Sequence, residues 1–215
     1  MTLDEMYDEM DLYGFDDFED SQKLTLLNEA YFDIVTREPW PFLEVIVPDI
    51  SVPSGVERIK NNTLVTNSPS DVNAVLSMVD TTNAITMVPE RGDVIEKNYK
   101  PLSDFGTARA YYFVGDELYV YPPTLGSVTY RLYYTRVPQR ATTTSDTFLI
   151  PARHHSIIVY GALVKAFLVN DDPQAAVFQN MFEQRYQQMR ADVWMNQYDR
   201  TERIHVLTDS YDWNY

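Results

Sequence analysis

The sequence predicts an α+β protein: a helical bundle carrying an inserted antiparallel β-sandwich-like module, with extended termini. Three observations predict it. Apolar residues recur at helical spacing toward both ends of the 215-residue chain. Between them, from 43 to 137, short β-prone runs alternate with turn residues. The stretch Val128–Asn170 then changes from period two to helical period at Ile150-Pro151, where a strand layer must join a helix layer. The resulting divisions are an acidic arm over 1–20, a helical bundle formed by 21–42 and 138–198, a β module over 43–137, and an extended tail over 199–215.

Residues 1–20 hold nine acidic residues and no basic one, interleaved with Met6, Met10, Leu12, Tyr13, Phe15 and Phe18. Purely acidic tails lack such apolar residues, so the arm has the means to fold or dock. Gly14 argues against one uninterrupted helix. Asp20 or Ser21 caps a predicted helix to about Arg37, whose face is Leu24, Leu27, Tyr31, Ile34 and Val35. Glu38-Pro39-Trp40-Pro41 ends it, since proline disfavours helix at the residue before it. Trp40 and Phe42 are the structural anchors expected at that exit.

The β module reads as the runs Leu43–Val47, Thr63–Val65, Ala74–Val79, Ala84–Met87, Asp93–Glu96, Ala108–Val114, Glu117–Tyr121 and Val128–Tyr134. Val79–Ala84 contains one hairpin turn, and Gly115-Asp116 is a two-residue turn between aromatic runs. Alternation puts Tyr111, Phe113, Tyr119 and Tyr121 on one face of that hairpin, with Tyr112, Val114, Leu118 and Val120 on the other. Pro122-Pro123 stops the strand.

Pro151 suits the first turn of a helix. That helix is apolar on nearly every side, and Gly161-Ala162 admits another helix at close range. Asn170-Asp171-Asp172-Pro173 is a stop followed by a cap, and the next helix runs to about Asn196, antiparallel to its predecessor. Its stripe is Phe178, Met181, Phe182, Arg185, Tyr186, Met189, Val193 and Trp194. Ile157–Val169 carries more apolar surface than two other helices need. Ile157, Tyr160, Leu163, Val164 and Phe167 are therefore expected at a subunit interface with a neighbouring copy.

Composition excludes several classes of function. A net charge of −15 and a pI near 4.4 oppose wrapping nucleic acid by phosphate neutralisation. With no cysteine, disulfides and thiolate chemistry are excluded. No apolar run is long enough to span a membrane, and the acidic start has the wrong sign for a secretory signal, so synthesis in a cytoplasm is expected.

No reaction centre is legible, and no cofactor is expected. His154-His155 are adjacent, so on a helix they point apart; His205 is isolated, and no HExxH is present. Asp16-Asp17 and Asp171-Asp172 lack the alternating ligand spacing of a calcium loop. No nucleophile elbow, P-loop or dinucleotide fingerprint occurs among the seven glycines. The Tyr-rich hairpin leaves open a receptor- or glycan-binding module, for which an exposed row of rings would be needed. The plentiful acids leave open a carboxylate hydrolase, for which two facing acids in a cleft would be needed.

Three stretches carry a family resemblance: the opening helix with its aromatic-proline exit (LLNEAYFDIVTREPWPFLEV, Leu26–Val45), the late strand RLYYTRVP (Arg131–Pro138), and the proline-started hairpin of Phe148–Met189. Together they resemble the head–tail adaptor (connector) proteins of tailed bacteriophages. The acidic arm and the long β insert are not matched to that pattern. The resemblance implies a non-enzymatic virion protein at the neck, a homo-oligomeric ring commonly of twelve copies, docked beneath the portal protein. The hairpins would form the ring wall. The tail aromatics Tyr211, Trp213 and Tyr215 would dock on the portal, and the β module would face the tail (a nozzle or tail-tube protein) or neighbouring subunits. An acidic protein can line a channel through which DNA passes without gripping it.

Overall fold

The computed structural model describes residues 1–95, 97 and 105–208, with side chains as far as 195. The chain divides into two compact units: Met1–Leu43 together with the chain from Pro138 onward, and Glu44–Val137. The elements are α1 (Leu3–Met10), α2 (Asp20–Val35), β1 (Glu44–Val52), β2 (Val72–Asp80), β3 (Ile85–Thr86), β4 (Val88–Pro89) and α3 (Gly92–Val94). They continue with β5 (Ala110–Val114), β6 (Glu117–Tyr121), β7 (Val128–Arg136), α4 (Ser156–Val169) and α5 (Gln174–Thr208). Helices fill the first unit and antiparallel and mixed sheets the second, an α+β fold without a closed barrel.

In the helical unit the acidic arm is folded, not extended. Thr2 and Glu5 form a capping box, the Glu5 N–H donating to Thr2 Oγ1 (3.2 Å) and the Thr2 N–H to Glu5 Oε2 (2.8 Å). Leu3, Met6, Tyr7 and Met10 then fall at spacings of three and four and are all buried, while Asp4, Glu5 and Asp8 face solvent. One π-helical turn follows, and Gly14, with φ +89°, bends the chain in a conformation that favours glycine. Phe15 thereby reaches the core edge-on to Phe167, with 4.8 Å between ring centroids. Buried Lys23 pairs with Asp11, fastening the arm to α2.

α2 starts one residue after Glu19, which forms a capping box with Gln22, and ends before the proline exit. Trp40 is fully buried beyond it. Its Nε1 donates to the Ile34 carbonyl (2.9 Å), its ring stacks on Phe42 (5.4 Å), and Tyr186 of α5 meets it edge-on (5.8 Å). Asn28 makes a contact that no local sequence pattern announces. Its amide donates to the Ala141 carbonyl and accepts the Ala141 N–H, both at 2.9 Å, tying α2 to a segment 113 residues away.

α4 is the centre of the bundle. Ile157, Tyr160, Leu163, Val164 and Phe167 are buried inside their own subunit, which corrects the expectation of a subunit interface there. The folded arm is the cover that a count of two neighbouring helices omits: α1, α2 and α5 all pack on α4. Gly161 does admit another helix. A Cβ at this position would lie 2.9 Å from the Ala30 Cβ and 3.1 Å from the Phe182 ring.

Asp172 caps α5, its Oδ1 accepting the Gln174 N–H at 2.8 Å. The helix continues to Thr208, 35 residues in all, so 199–208 are helical where an extended tail is expected. No Gly or Pro interrupts 174–208, which leaves the helix no local reason to stop at Asn196.

In the β unit, β7 is central, paired antiparallel with both β1 and β2, and β3 extends the sheet beside β2. Its alternate residues Val128, Tyr130, Leu132 and Tyr134 all point inward. The second sheet is β4-β5-β6, and the β4–β5 pair is parallel, an exception to the antiparallel expectation. Tyr111, Leu118 and Val120 of that sheet share one core with Ile50, Val52, Met78 and the inward row of β7, as sandwich packing requires. Two of the expected strands are absent: 63–65 lies in a turn, and Asp93 belongs to the helical α3. Buried Lys60 is satisfied by the Val72 carbonyl (3.0 Å) and by Asp116 (2.6 Å), the residue after the hairpin glycine.

Several tyrosines are buried hard enough to hold their protons. Burial, and then Asp80, raises Tyr130; burial, and then its 2.7 Å hydrogen bond to Asp71, raises Tyr134. Burial and then Glu38 push Tyr186 up to about 12. A raised folded-state pKa means stability that is complete below the ordinary tyrosine value of 10.0 and is lost as pH rises through the folded value. In an alkaline titration, the phenolate absorbance of Tyr186 should therefore appear together with loss of helical circular dichroism, and that of Tyr130 and Tyr134 together with loss of the strand signal of the β unit. Smooth titration near pH 10 with the fold intact would contradict the burial described.

Candidate functional site

The exit of α2 forms a polar hub on α5. Glu38 accepts from Tyr186 Oη (3.2 Å), Trp194 Nε1 (3.2 Å) and Arg190 Nε (2.8 Å), beside the Trp40–Phe42 stack. The Arg37 guanidinium lies over the rings of Phe182 (5.0 Å) and Tyr186 (4.8 Å) and pairs with Glu183 at 3.2 Å. Among the described residues, every side-chain donor that reaches Glu38 comes from α5, so the hub ties the exit of α2 to α5. Trp40 and Phe42 are thus brought together, stacked beside this hub. The sequence signals the anchors through the aromatic-proline exit, but it does not signal the glutamate that completes them.

His154 and His155 lie just before α4 and make local polar contacts, while the side chain of His205 lies outside the described residues. The His154 Nε2 sits 2.8 Å from Asp192 Oδ2, which Arg153 also reaches at 2.8 Å. Both ring nitrogens of buried His155 face backbone carbonyls, those of Met1 (2.9 Å) and Ile150 (2.7 Å). Among the described residues, no group of three or more His, Cys, Asp and Glu could hold a metal ion.

The aromatic hairpin differs from its expected layout. Val114 pairs with Glu117, so Tyr112 lies opposite Tyr119, Phe113 opposite Leu118 and Tyr111 opposite Val120. Directly opposed residues share a face, which puts Tyr111, Phe113, Leu118 and Val120 together on the core side. Tyr112 and Tyr119 stack on the other side at 5.4 Å. Tyr111 and Tyr112 are both buried, and Gly92 of α3 lies against the Tyr112 ring. An open platform of stacked rings is therefore not what this hairpin presents. Beside it is a hollow of about 620 Å³ lined by Glu90, Arg91, Gly92, Asp93, Phe113 and Val114. Asp93 there is held by a two-pronged Arg91 contact, both prongs at 3.0 Å.

A different group of apolar side chains is exposed, at the end of the bundle where α4 turns into α5. Leu168 and Val169 close α4 at 64% and 77% exposure, and Val177 in the first turn of α5 is 57% exposed. Leu12 (84%) and Tyr13 (39%) join them from the arm, Tyr13 touching Phe178 edge-on at 5.0 Å. Sequence reasoning placed the surplus apolar surface of α4 along its length. The structure confines it to the last two residues and their neighbours. Tyr211, Trp213 and Tyr215 lie outside the described residues.

The arrangement is one of helix-locking hubs, a two-sheet module and an exposed apolar end. No individual curated protein is similar enough to be matched to the chain. The family profile described as SU10 adaptor protein matches residues 1–205, which takes in the arm, both units and nearly all of α5. That match agrees with the resemblance carried by the α2 exit, the late strand and the α4–α5 hairpin, and the chain belongs to the SU10 adaptor protein family, a structural protein of the bacteriophage head–tail connector.

Proposed function

We propose that copies of this chain close into a ring at the neck of the virion, commonly of twelve, joining the portal protein to a tail-side nozzle or tail-tube protein. The observation that carries this reading is the family match over 1–205. A ring multiplies a modest subunit contact by closure, which suits a protein whose work is docking and not catalysis. DNA passes through without specific binding: with a net charge of −15, the chain has little means of neutralising phosphates along a channel wall. The reading is tested by assembling particles without this chain. Filled heads and finished tails should accumulate separately, and adding the purified chain should join them. Joining at the same level without it overturns the reading.

The tail aromatics Tyr211, Trp213 and Tyr215 dock on the portal in this scheme, in the manner of ring anchors that fill pockets. Removing residues 209–215 should weaken capture by portal-bearing heads at least about tenfold while leaving the melting temperature unchanged. Undiminished capture takes these residues out of the mechanism.

A further inference from the structure

The exposed apolar end of the bundle is a docking surface with a definable partner. Leu12, Tyr13, Leu168, Val169 and Val177 come from three separate stretches of chain, which the Tyr13–Phe178 and Phe167–Phe178 ring contacts bring to the α4–α5 turn. Apolar side chains scattered singly over a surface need no explanation, whereas a group of this size gathered at one place marks an interaction site. The free charges around it are predominantly acidic. Segments 1–22 and 166–184 contain no Lys or Arg. Asp16, Asp17 and Asp171 are exposed there, and Asp172 is half-exposed. Lys23 is buried on Asp11, Lys165 is engaged by Asp33 (2.8 Å) and Glu29 (3.6 Å), and Arg37, which lines a hollow with Lys165 and Leu168, is paired with Glu183 (3.2 Å), so the unpaired charges of the rim are the acidic ones.

That rim narrows the occupant. The same face of a second copy would set acid against acid, which interfaces avoid because like charges brought together cost several kcal/mol. Nucleic acid and anionic lipid are repelled for the same reason. What fits is a protein surface with an apolar patch ringed by lysine and arginine. The position narrows it further. α5 begins at this end and carries its C-terminus 35 residues away, about 50 Å along the helix axis. In an adaptor whose C-terminal tail docks on the portal, the α4–α5 turn is at the far end of that helix.

We infer that the α4–α5 turn end of the bundle is the docking surface for the tail-side protein, which meets Leu12, Leu168, Val169 and Val177 with an apolar patch flanked by basic residues. This inference rests on the adaptor reading. It also accounts for Asp16, Asp17 and Asp171, whose charges would steer a basic partner onto the apolar centre.

The test uses the full-length chain, heads purified without it, and purified tails. A triple variant, L12S/V169S/V177S, removes the exposed apolar centre, and a second variant, D16K/D17K, inverts part of the rim at two exposed positions outside the left-handed backbone region. Both are expected to melt as the wild type does and to bind heads as well as it does. Joined particles are expected to fall at least about tenfold for the triple variant, and for the charge variant the fall should be greater at low salt than at high salt. Joining at the wild-type level by both variants overturns the inference. Loss at the head-binding step also overturns it, because it would put this end on the portal side. If the triple variant fails to fold, the charge variant decides alone. If the wild-type chain itself binds no heads, the adaptor reading fails, and the inference with it.

Discussion

Replacing Trp40 with alanine is expected to cost the fold about 3–5 kcal/mol, read as a lower midpoint of urea unfolding with an unchanged slope. The size follows from what the ring does. It is fully buried, it fills the space between Phe42 and Tyr186, and its Nε1 donates to the Ile34 carbonyl at the C-terminal end of α2. Alanine leaves a cavity at the point where α2 meets α5 and removes the stronger of the contacts on that carbonyl, leaving it the longer Arg37 N–H bond at 3.3 Å. The neighbouring hub would loosen with it, since Tyr186 is held both by the Trp40 edge and by Glu38. Phe42→Ala, at a half-buried position on the stack, should cost clearly less. Equal costs for the two would mean that Trp40 is not the anchor.

Gly161→Leu is expected to be the most damaging small-to-large change in the helical unit. The first carbon added would already sit 2.9 Å from the Ala30 Cβ, which is fixed to the backbone of α2 and cannot rotate away. Alanine at 161 gains about 1 kcal/mol of helix propensity over glycine, yet it must push α2 and α4 apart. Its net effect should still be destabilising. Leucine adds three more carbons to the same contact and should reach or exceed the upper end of the roughly 1–3 kcal/mol that overpacking costs. Gly126→Leu is the matched control, because nothing lies within 4 Å of a Cβ there and its φ is ordinary. A change of less than about 0.5 kcal/mol is expected for it. If Gly161→Leu were tolerated as well as the control, the close approach of α2 to α4 would be wrong.

What could be read from the sequence divides by range of interaction. α2, α4 and the Gly115-Asp116 hairpin were legible because their signals are local: an apolar period, a proline, a glycine in a two-residue turn. The arm was not. Its apolar residues show that it can fold or dock, but nine acids in twenty residues hide the period of Leu3, Met6, Tyr7 and Met10, which is helical once written out. That omission led to the misplaced interface. Without the arm, α4 has too few neighbours for its apolar surface; with Phe15 against Phe167 and α1 in place, the account of its core positions balances. The parallel β4–β5 pair and the Asn28–Ala141 bonds depend on segments brought together from a distance, and no local pattern announces either. The faces of the aromatic hairpin went wrong for a smaller reason. Alternation along one strand says nothing about which residues of the next strand lie opposite, and the turn sets that register.

The central claim is that this chain is an adaptor assembling on the portal. The measurement that tests it most directly is the native mass of the purified chain, alone and mixed with portal protein. The account predicts a complex whose mass exceeds that of the portal by a whole multiple of 25.0 kDa, about 300 kDa for twelve copies. A chain that stays at 25.0 kDa in both samples, with the portal unchanged beside it, contradicts the account.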